Sequence, residues 1–249
     1  MSFNGRSGFI NKFKNLCKKN NLFLIEDSAQ SLGSYNNKQH LGTFGDIGSF
    51  SFSVPKIITT GQGGALITDN DALSDKLRKL KDFGRTGGGN DIHNSIGYNS
   101  KFTDLQAVVG IEQMKKLTGF LRQRSENFAA LESQLKDVKG IRVIPQPING
   151  YLHSSHYCLA VLLDENLANQ RPEIMKMLGE QGIGSSVYYP QPVPRMSFYQ
   201  EKYGYEQNRY PNATRISDGM LALPVGPHLN TQDMEIIGEE LTQIMKAMK

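Results

Sequence analysis

The chain has 249 residues, 38% hydrophobic and 21% charged, with a net charge of +4, the composition of an ordinary globular protein large enough for one sizeable core or two smaller ones. The positive balance is small and dispersed, which argues against a nucleic-acid-binding surface, and no apolar run approaches the ~20 residues of a membrane span. The first residues lack an apolar h-region and a small-residue cleavage site, and the two cysteines, Cys17 and Cys158, fit no metal or CxxC spacing; both features lead to the expectation of a cytoplasmic protein with reduced thiols and no metal centre.

In chain order, "FINKFKNLCKKNN" places Phe9, Ile10, Phe13, Leu16 and Cys17 at a helical period. "LFLIED" follows as a short apolar run ending in acid, the pattern of a strand buried on both faces. "IGSFSFS" and "GALITDN" read as further strands. In "DALSDKLRKLKDFG", Asp71 is the expected cap, Leu73, Leu77, Leu80 and Phe83 form one stripe, and Gly84 stops the helix. "TDLQAVVGIEQMKKL" is a second helix starting near Thr103 or Asp104. After about residue 120 the character changes, with a long amphipathic helix in "FLRQRSENFAALESQLKDV", strands in "IRVIP" and "YCLAVLL", a helix in "RPEIMKMLGEQG", a Tyr/Pro-rich segment "SVYYPQPVP" and a last helix from about Thr231 to Met248. Alternating helices and strands predict α/β layering, with domains over 1–120 and 121–249.

The chemistry-bearing residues gather in two stretches. Asp27 ends "LFLIED" and Gln30 follows in "DSAQ"; Ser51 and Lys56 flank "SFSVPK" ahead of the glycine-rich "TGQGG". In open α/β sheets ligands gather at the carboxyl ends of strands, and a carboxylate placed there calls for a cationic partner. Asp27 has a plain reading as a helix cap or ion-pair member, and Lys56 as a solvated surface lysine. Taken together they suggest another pairing: an aspartate against a protonated pyridine nitrogen, and a lysine amine holding an aldehyde as an imine.

From "LFLIEDSAQSLGS" through "GTFGDIGSFSFSVPKIITTGQGGALITD" and "IGYNSKFTDLQAVVGIEQM" to "SVYYPQPVP" and "LALPVGPHL", the chain resembles the DegT/DnrJ/EryC1/StrS aminotransferases, pyridoxal-phosphate enzymes acting on nucleotide-linked keto-sugars. Lys56 follows Asp27 by 29 residues and Ser51 by five, spacings that match the family pattern. The resemblance implies a partial aspartate-aminotransferase-like (fold type I) large domain, the C-terminal part of it in 1–120, followed by a smaller α+β domain in 121–249. It implies that Lys56 is the imine-forming lysine and later moves a proton between cofactor and sugar carbons. By the same carry-over Asp27 pairs with the pyridinium nitrogen, Gln30 lies against the ring near its hydroxyl, Ser51 donates to the phosphate, and Asn99 reaches the phosphate of a neighbouring subunit's cofactor, which implies a homodimer. The implied substrates are a nucleotide-keto-sugar and glutamate as amino donor, in surface-polysaccharide or amino-sugar biosynthesis. A dehydrating branch of the family carries histidine in place of the lysine, so Lys56 favours transamination over the dehydratase alternative. Family members also carry a longer N-terminal region, with a phosphate-binding turn, a ring-stacking residue and further strands. A chain without it is expected to bind cofactor weakly and self-associate, or to be a non-catalytic fragment of such an enzyme.

Other motifs carry less. "HSSH" sets His153 and His156 three apart without an accompanying carboxylate or cysteine cluster, which favours a structural role at a strand edge. "TDNDAL" lacks the glycine and distal glutamate of an EF-hand. "GRTGGGND" reads as a loop in which Arg85 is a solvated arginine or a phosphate contact, and Tyr188, Tyr189 and Arg195 read either as packing under a proline-rich loop or as neighbours of a nucleotide-sugar pocket.

Overall fold

A computed structural model describes residues 1–86, 92–146, 152–206 and 209–248. Part of "GRTGGGND" therefore lies outside the described residues. The order of elements is α1 (Ile10–Lys19), β1 (Ile25–Asp27), β2 (Tyr35–Asn36), β3 (Gln39–His40), β4 (Ile47–Ser51), β5 (Gly64–Ile67), α2 (Asp71–Lys81), α3 (Asp104–Leu135), β6 (Ile141–Val143), β7 (Leu152–His153), β8 (Leu159–Leu163), α4 (Arg171–Glu180), α5 (Ser197–Tyr203), α6 (Pro211–Gly219), β9 (Met220–Leu223) and α7 (Thr231–Ala247), with three short 3-10 turns between them. The chain divides into two compact units, one of residues 1–121 with 146–157 and the other of 122–145 with 158–249. Among the described residues, no helix is long and apolar enough to cross a membrane.

The first unit holds a mixed three-stranded sheet in the order β1-β4-β5. β1 and β4 are parallel, pairing Asp27 with Ser49, and β5 runs antiparallel to β4, pairing Ser51 with Gly64. A second small sheet, β3-β2-β7, pairs Tyr35 with both His40 and His153. The expected doubly buried strand is corrected here. Of β1 only Glu26 is buried, while Phe23 is 78% exposed and Ile25 66%. The apolar run predicts a partner layer, and among the described residues nothing covers that side. Phe9, Phe13 and Leu16 of the α1 region, and Leu105, Val108 and Ile111 on α3, are likewise exposed.

What is buried in this unit is unusually polar. Glu26 is 3% exposed, and its carboxylate accepts the backbone N–H groups of Gly42, Phe44 and Gly45. Three charge-assisted bonds on one carboxylate offset the cost of taking it out of water. They clasp the 41–45 turn over the start of β4, with Leu41 and Phe44 packed beside Ile10. Close approach makes glycine necessary at position 48, where a methyl group would overlap the carbonyl oxygen of Gly42.

The helices start and stop for local reasons. Asn70, rather than Asp71, caps α2, its side chain accepting from Leu73 N at 3.0 Å. At the start of α3, Thr103 Oγ1 accepts from Gln106 N at 3.3 Å while Gln106 Oε1 accepts from Thr103 N at 3.0 Å, a reciprocal capping box. The two helices expected on either side of residue 120 are one element of 32 residues. Gly110 and Gly119 lie inside it, since a single glycine weakens a helix by only about 1 kcal/mol.

The second unit has an antiparallel sheet in the order β6-β8-β9. Every residue of β8 and β9 is buried. Around them pack Phe128, Leu131 and Leu135 from α3, Ile174 and Leu178 from α4, and Met234, Ile237, Leu241 and Ile244 from α7. Each such side chain contributes roughly 1.5–3 kcal/mol on leaving water, so this core is the most densely apolar part of the chain. Asn127, fully buried, donates its amide to the carbonyls of Gly226 and Leu229 at 3.1 and 3.0 Å. It thereby satisfies the loop leading into α7, whose own start is a capping box of Asn230 and Asp233.

Candidate active site

At the C-terminal end of β1 the chain turns sharply. Asp27 Oδ1 accepts from Ala29 N at 3.1 Å, and Ser31 N donates to Ser28 O at 3.0 Å. The Asp27 carboxylate stays exposed, whereas Gln30 is fully buried. The side-chain carbonyl of Gln30 accepts from the backbone N–H of Asn4 at 2.8 Å, and its main-chain carbonyl accepts from Ser155 Oγ at 3.2 Å. Gln30 is thus a fixed strut of the turn behind Asp27.

Lys56 comes from the adjacent strand. β4 ends at Ser51, whose hydroxyl lies 3.1 Å from that of Ser53. The chain then closes a turn in which Lys56 N donates to Ser53 O at 3.0 Å and Thr60 N to Phe52 O at 2.9 Å. Ile57 and Ile58, 4% and 2% exposed, anchor the turn below. Two glutamines of α3 tie it from the side: Thr59 N donates to Gln113 Oε1 at 3.2 Å, and Gln106 Nε2 donates to Gln62 O at 2.7 Å. The return strand passes close by at Gly63, with φ +142°, where a methyl group would collide with the Phe102 ring.

The Lys56 side chain is half-buried. Burial pulls its proton affinity below the ordinary lysine value, and the negative charge of Asp27 partly opposes this. The two groups singled out by their spacing therefore share one electrostatic environment. The Lys56 ammonium also lies 5.5 Å from the ring centroid of Tyr157. Tyr157 carries no sequence signal, because it comes from a segment remote in the chain. Asn99 stands apart in its contacts, bridging antiparallel to Asp82 at the end of α2. There Asp82 binds Arg85 at 2.6 Å and Lys101 at 2.9 Å, and both cations lie over the Phe83 ring. His153 and His156 approach each other edge-on at 6.4 Å, with Tyr35 edge-on to His153.

His40 flanks the same turn from β3. Its Nε2 accepts from Gly33 N at 2.8 Å, and its Nδ1 donates to Leu41 O. Only the neutral ring can accept, and burial depresses its proton affinity, with the Leu41 carbonyl and Glu26 acting in the opposite sense. The folded state thus binds this proton less readily than the unfolded chain does. The stability contributed by neutral His40 is complete above the ordinary histidine value near 6.5 and is lost as the pH falls below it. A melting series from pH 7.5 to 5.5 is expected to show the midpoint falling with pH, and His40→Gln to flatten that fall; equal slopes for the two proteins would remove His40 as the cause.

The sequence profile of the DegT/DnrJ/EryC1/StrS aminotransferase family matches residues 2–242. The chain belongs to this family. A UDP-4-amino-4,6-dideoxy-N-acetyl-beta-L-altrosamine transaminase of Campylobacter jejuni is 30% identical over the whole chain and 65% of its own length, and a GDP-perosamine synthase of Vibrio cholerae is 28% identical over 90% of the chain and 60% of its own. The chain thus spans less than two thirds of either relative. Among solved structures, the aminotransferase TlmJ from Streptoalloteichus hindustanus superposes with a TM-score of 0.88 at 29% identity, covering 98% of the chain and 64% of TlmJ. Helicobacter pylori PseC gives 0.91 at 24% identity, covering 99% and 66%. The fold is the mixed α/β fold type I of pyridoxal-phosphate sugar aminotransferases.

Family members work with pyridoxal phosphate, and the residues of this chain fit that group. Lys56 offers an amine whose proton is held less tightly than usual. Asp27 offers an exposed carboxylate at a strand end, with Ala29 N on one oxygen. Ser51 offers a hydroxyl at the end of the neighbouring strand.

Proposed function

We propose that the chain belongs to a pyridoxal-phosphate-dependent aminotransferase that moves an amino group from an amino acid, glutamate in the first instance, to the carbonyl carbon of a nucleotide-linked keto-sugar in surface-polysaccharide or amino-sugar biosynthesis. The observation that carries the reading is the Lys56 amine, half-buried, with lowered proton affinity and in electrostatic range of Asp27. Bound pyridoxal phosphate supplies an aldehyde for the lysine and a ring that takes up electrons from the reacting carbon. The donor carbon is oxidised to a carbonyl as the sugar carbonyl is reduced to an amine, so no external oxidant or reductant enters.

The chain's own residues divide the work. Lys56, with a larger neutral fraction than an ordinary lysine, is the nucleophile and proton carrier. Asp27 holds a proton on the ring nitrogen by its charge, and buried Gln30, which the family resemblance sets against the ring near its hydroxyl, keeps the Asp27 turn rigid behind it. Ser51 donates to the phosphate. In this reading Asn99 serves the phosphate of a second copy's cofactor, which makes the working unit a homodimer, and the enzyme acts in the cytoplasm.

The test incubates the chain, alone and complemented with the N-terminal region of a family member, with pyridoxal phosphate, 15N-glutamate and a panel of UDP-, GDP- and dTDP-linked keto-sugars. Appearance of 15N in one amino-sugar product is expected, and Asp27→Asn should slow it by a factor on the order of 100 or more while some cofactor binding survives. No transfer to any member of the panel, or near-normal turnover in Asp27→Asn, would overturn the assignment.

A further inference from the structure

Tyr157 is 6% exposed, and its place is fixed from several directions. The segment before it enters through β7, which pairs with β2. Ser155 N donates to Ser34 Oγ at 2.9 Å, Ser155 Oγ donates to the Gln30 carbonyl, and His156 N donates to Ser154 Oγ at 3.1 Å. His156 itself is 2% exposed and holds a left-handed backbone, φ +47°. A β-methyl at Gly5 would strike the Ser154 and Ser155 hydroxyls, so the amino-terminal turn closes over the segment as well. These bonds attach the segment to the turn that carries Asp27 and Gln30. The ring of Tyr157 is held by the same framework as the carboxylate, 5.5 Å from the Lys56 ammonium.

We propose that Tyr157 is a positioning residue for Lys56: the face of its ring holds the lysine amine in place beside Asp27. The proposal rests on the reading of Lys56 as the imine-forming residue. An aromatic face attracts a cation through its quadrupole and requires no hydrogen bond to do so. A second carboxylate at this place would pair with the amine and tie up its proton. While the amine is charged, a ring restrains the long, four-bond side chain, one of the most costly to order, and it accepts no hydrogen bond that must break when the proton leaves. The ring rather than the hydroxyl carries the effect, so phenylalanine suffices and an aliphatic side chain does not.

The experiment treats the full chain with millimolar pyridoxal phosphate, reduces with borohydride, and follows the rate of labelling at Lys56 by peptide mass spectrometry. Tyr157→Leu is expected to label at least about fivefold more slowly, and Tyr157→Phe at close to the unsubstituted rate. Label at Lys56 with an unchanged rate in Tyr157→Leu, or an equal loss in Leu and Phe, overturns the role of the ring and leaves the Lys56 reading standing. Label of the unsubstituted chain at another lysine overturns both. If Tyr157→Leu fails to fold by circular dichroism, Tyr157→Met replaces it. The unsubstituted chain then supplies an independent measurement: the ε-methylene protons of Lys56 should be displaced upfield by the ring current, and an undisplaced resonance overturns the proposal.

Discussion

Lys56→Ala is expected to abolish borohydride-trapped pyridoxal phosphate at the site. The reason is local. Lys56 is presented by a turn anchored through Ile57 and Ile58, it is partly withdrawn from water, and its proton affinity is lowered by that burial. An imine forms from the neutral amine, so a lysine whose proton is held less tightly reacts more readily than an ordinary surface lysine at the same pH. The effect of the substitution should be near-complete, and the labelled peptide containing residue 56 should vanish from the digest. Retention of the same amount of specific label in the alanine protein would assign the chemistry to another lysine.

Glu26→Ala is expected to have the largest effect on stability. The carboxylate satisfies three backbone donors, those of Gly42, Phe44 and Gly45. Removing it strands them in the interior, at about 1–3 kcal/mol each. Relaxation and water entry recover part of that, leaving a loss of about 3 kcal/mol or more. For a chain of this length that lowers the melting temperature by about 10 °C. Glu26→Gln keeps one acceptor oxygen but points an amide donor at an N–H, and should fall between the two. A Glu26→Ala protein melting within a degree or two of the unsubstituted chain would show that the 41–45 turn is held by its apolar contacts alone.

The placement of the candidate site is legible in the sequence where it is local. Asp27 and Lys56 stand at the end of one strand and just past its neighbour, and parallel pairing of β1 with β4 is enough to bring such positions together. Helices α1 and α2 follow from their apolar period, and α4 and α7 lie where the sequence places helices. The misses have separate physical causes. The burial of "LFLIED" depends on a layer that a single strand does not specify, and Phe23 and Ile25 are exposed. Two-residue strands such as β2, β3 and β7 are too short to show a period. β9 hides inside "MLALPVG", where the proline obscures it. Glu26 belongs to the acid end of its strand, and nothing local announces that its partners are backbone amides of a later turn. Tyr157 and Asn127 act through contacts remote in sequence, which no spacing rule reaches.

The two glutamine ties between α3 and the Lys56 turn bear on how the turn can be altered. Gln106 and Gln113 lie on a separate element, yet each holds backbone of the segment that follows Lys56, at Gln62 and Thr59. Shortening Gln113 by one carbon, to asparagine, would loosen one tether alone, whereas the same change at Gln106 would also weaken its capping box with Thr103. These positions on the helix are handles for adjusting where the Lys56 turn sits without rewriting the turn itself.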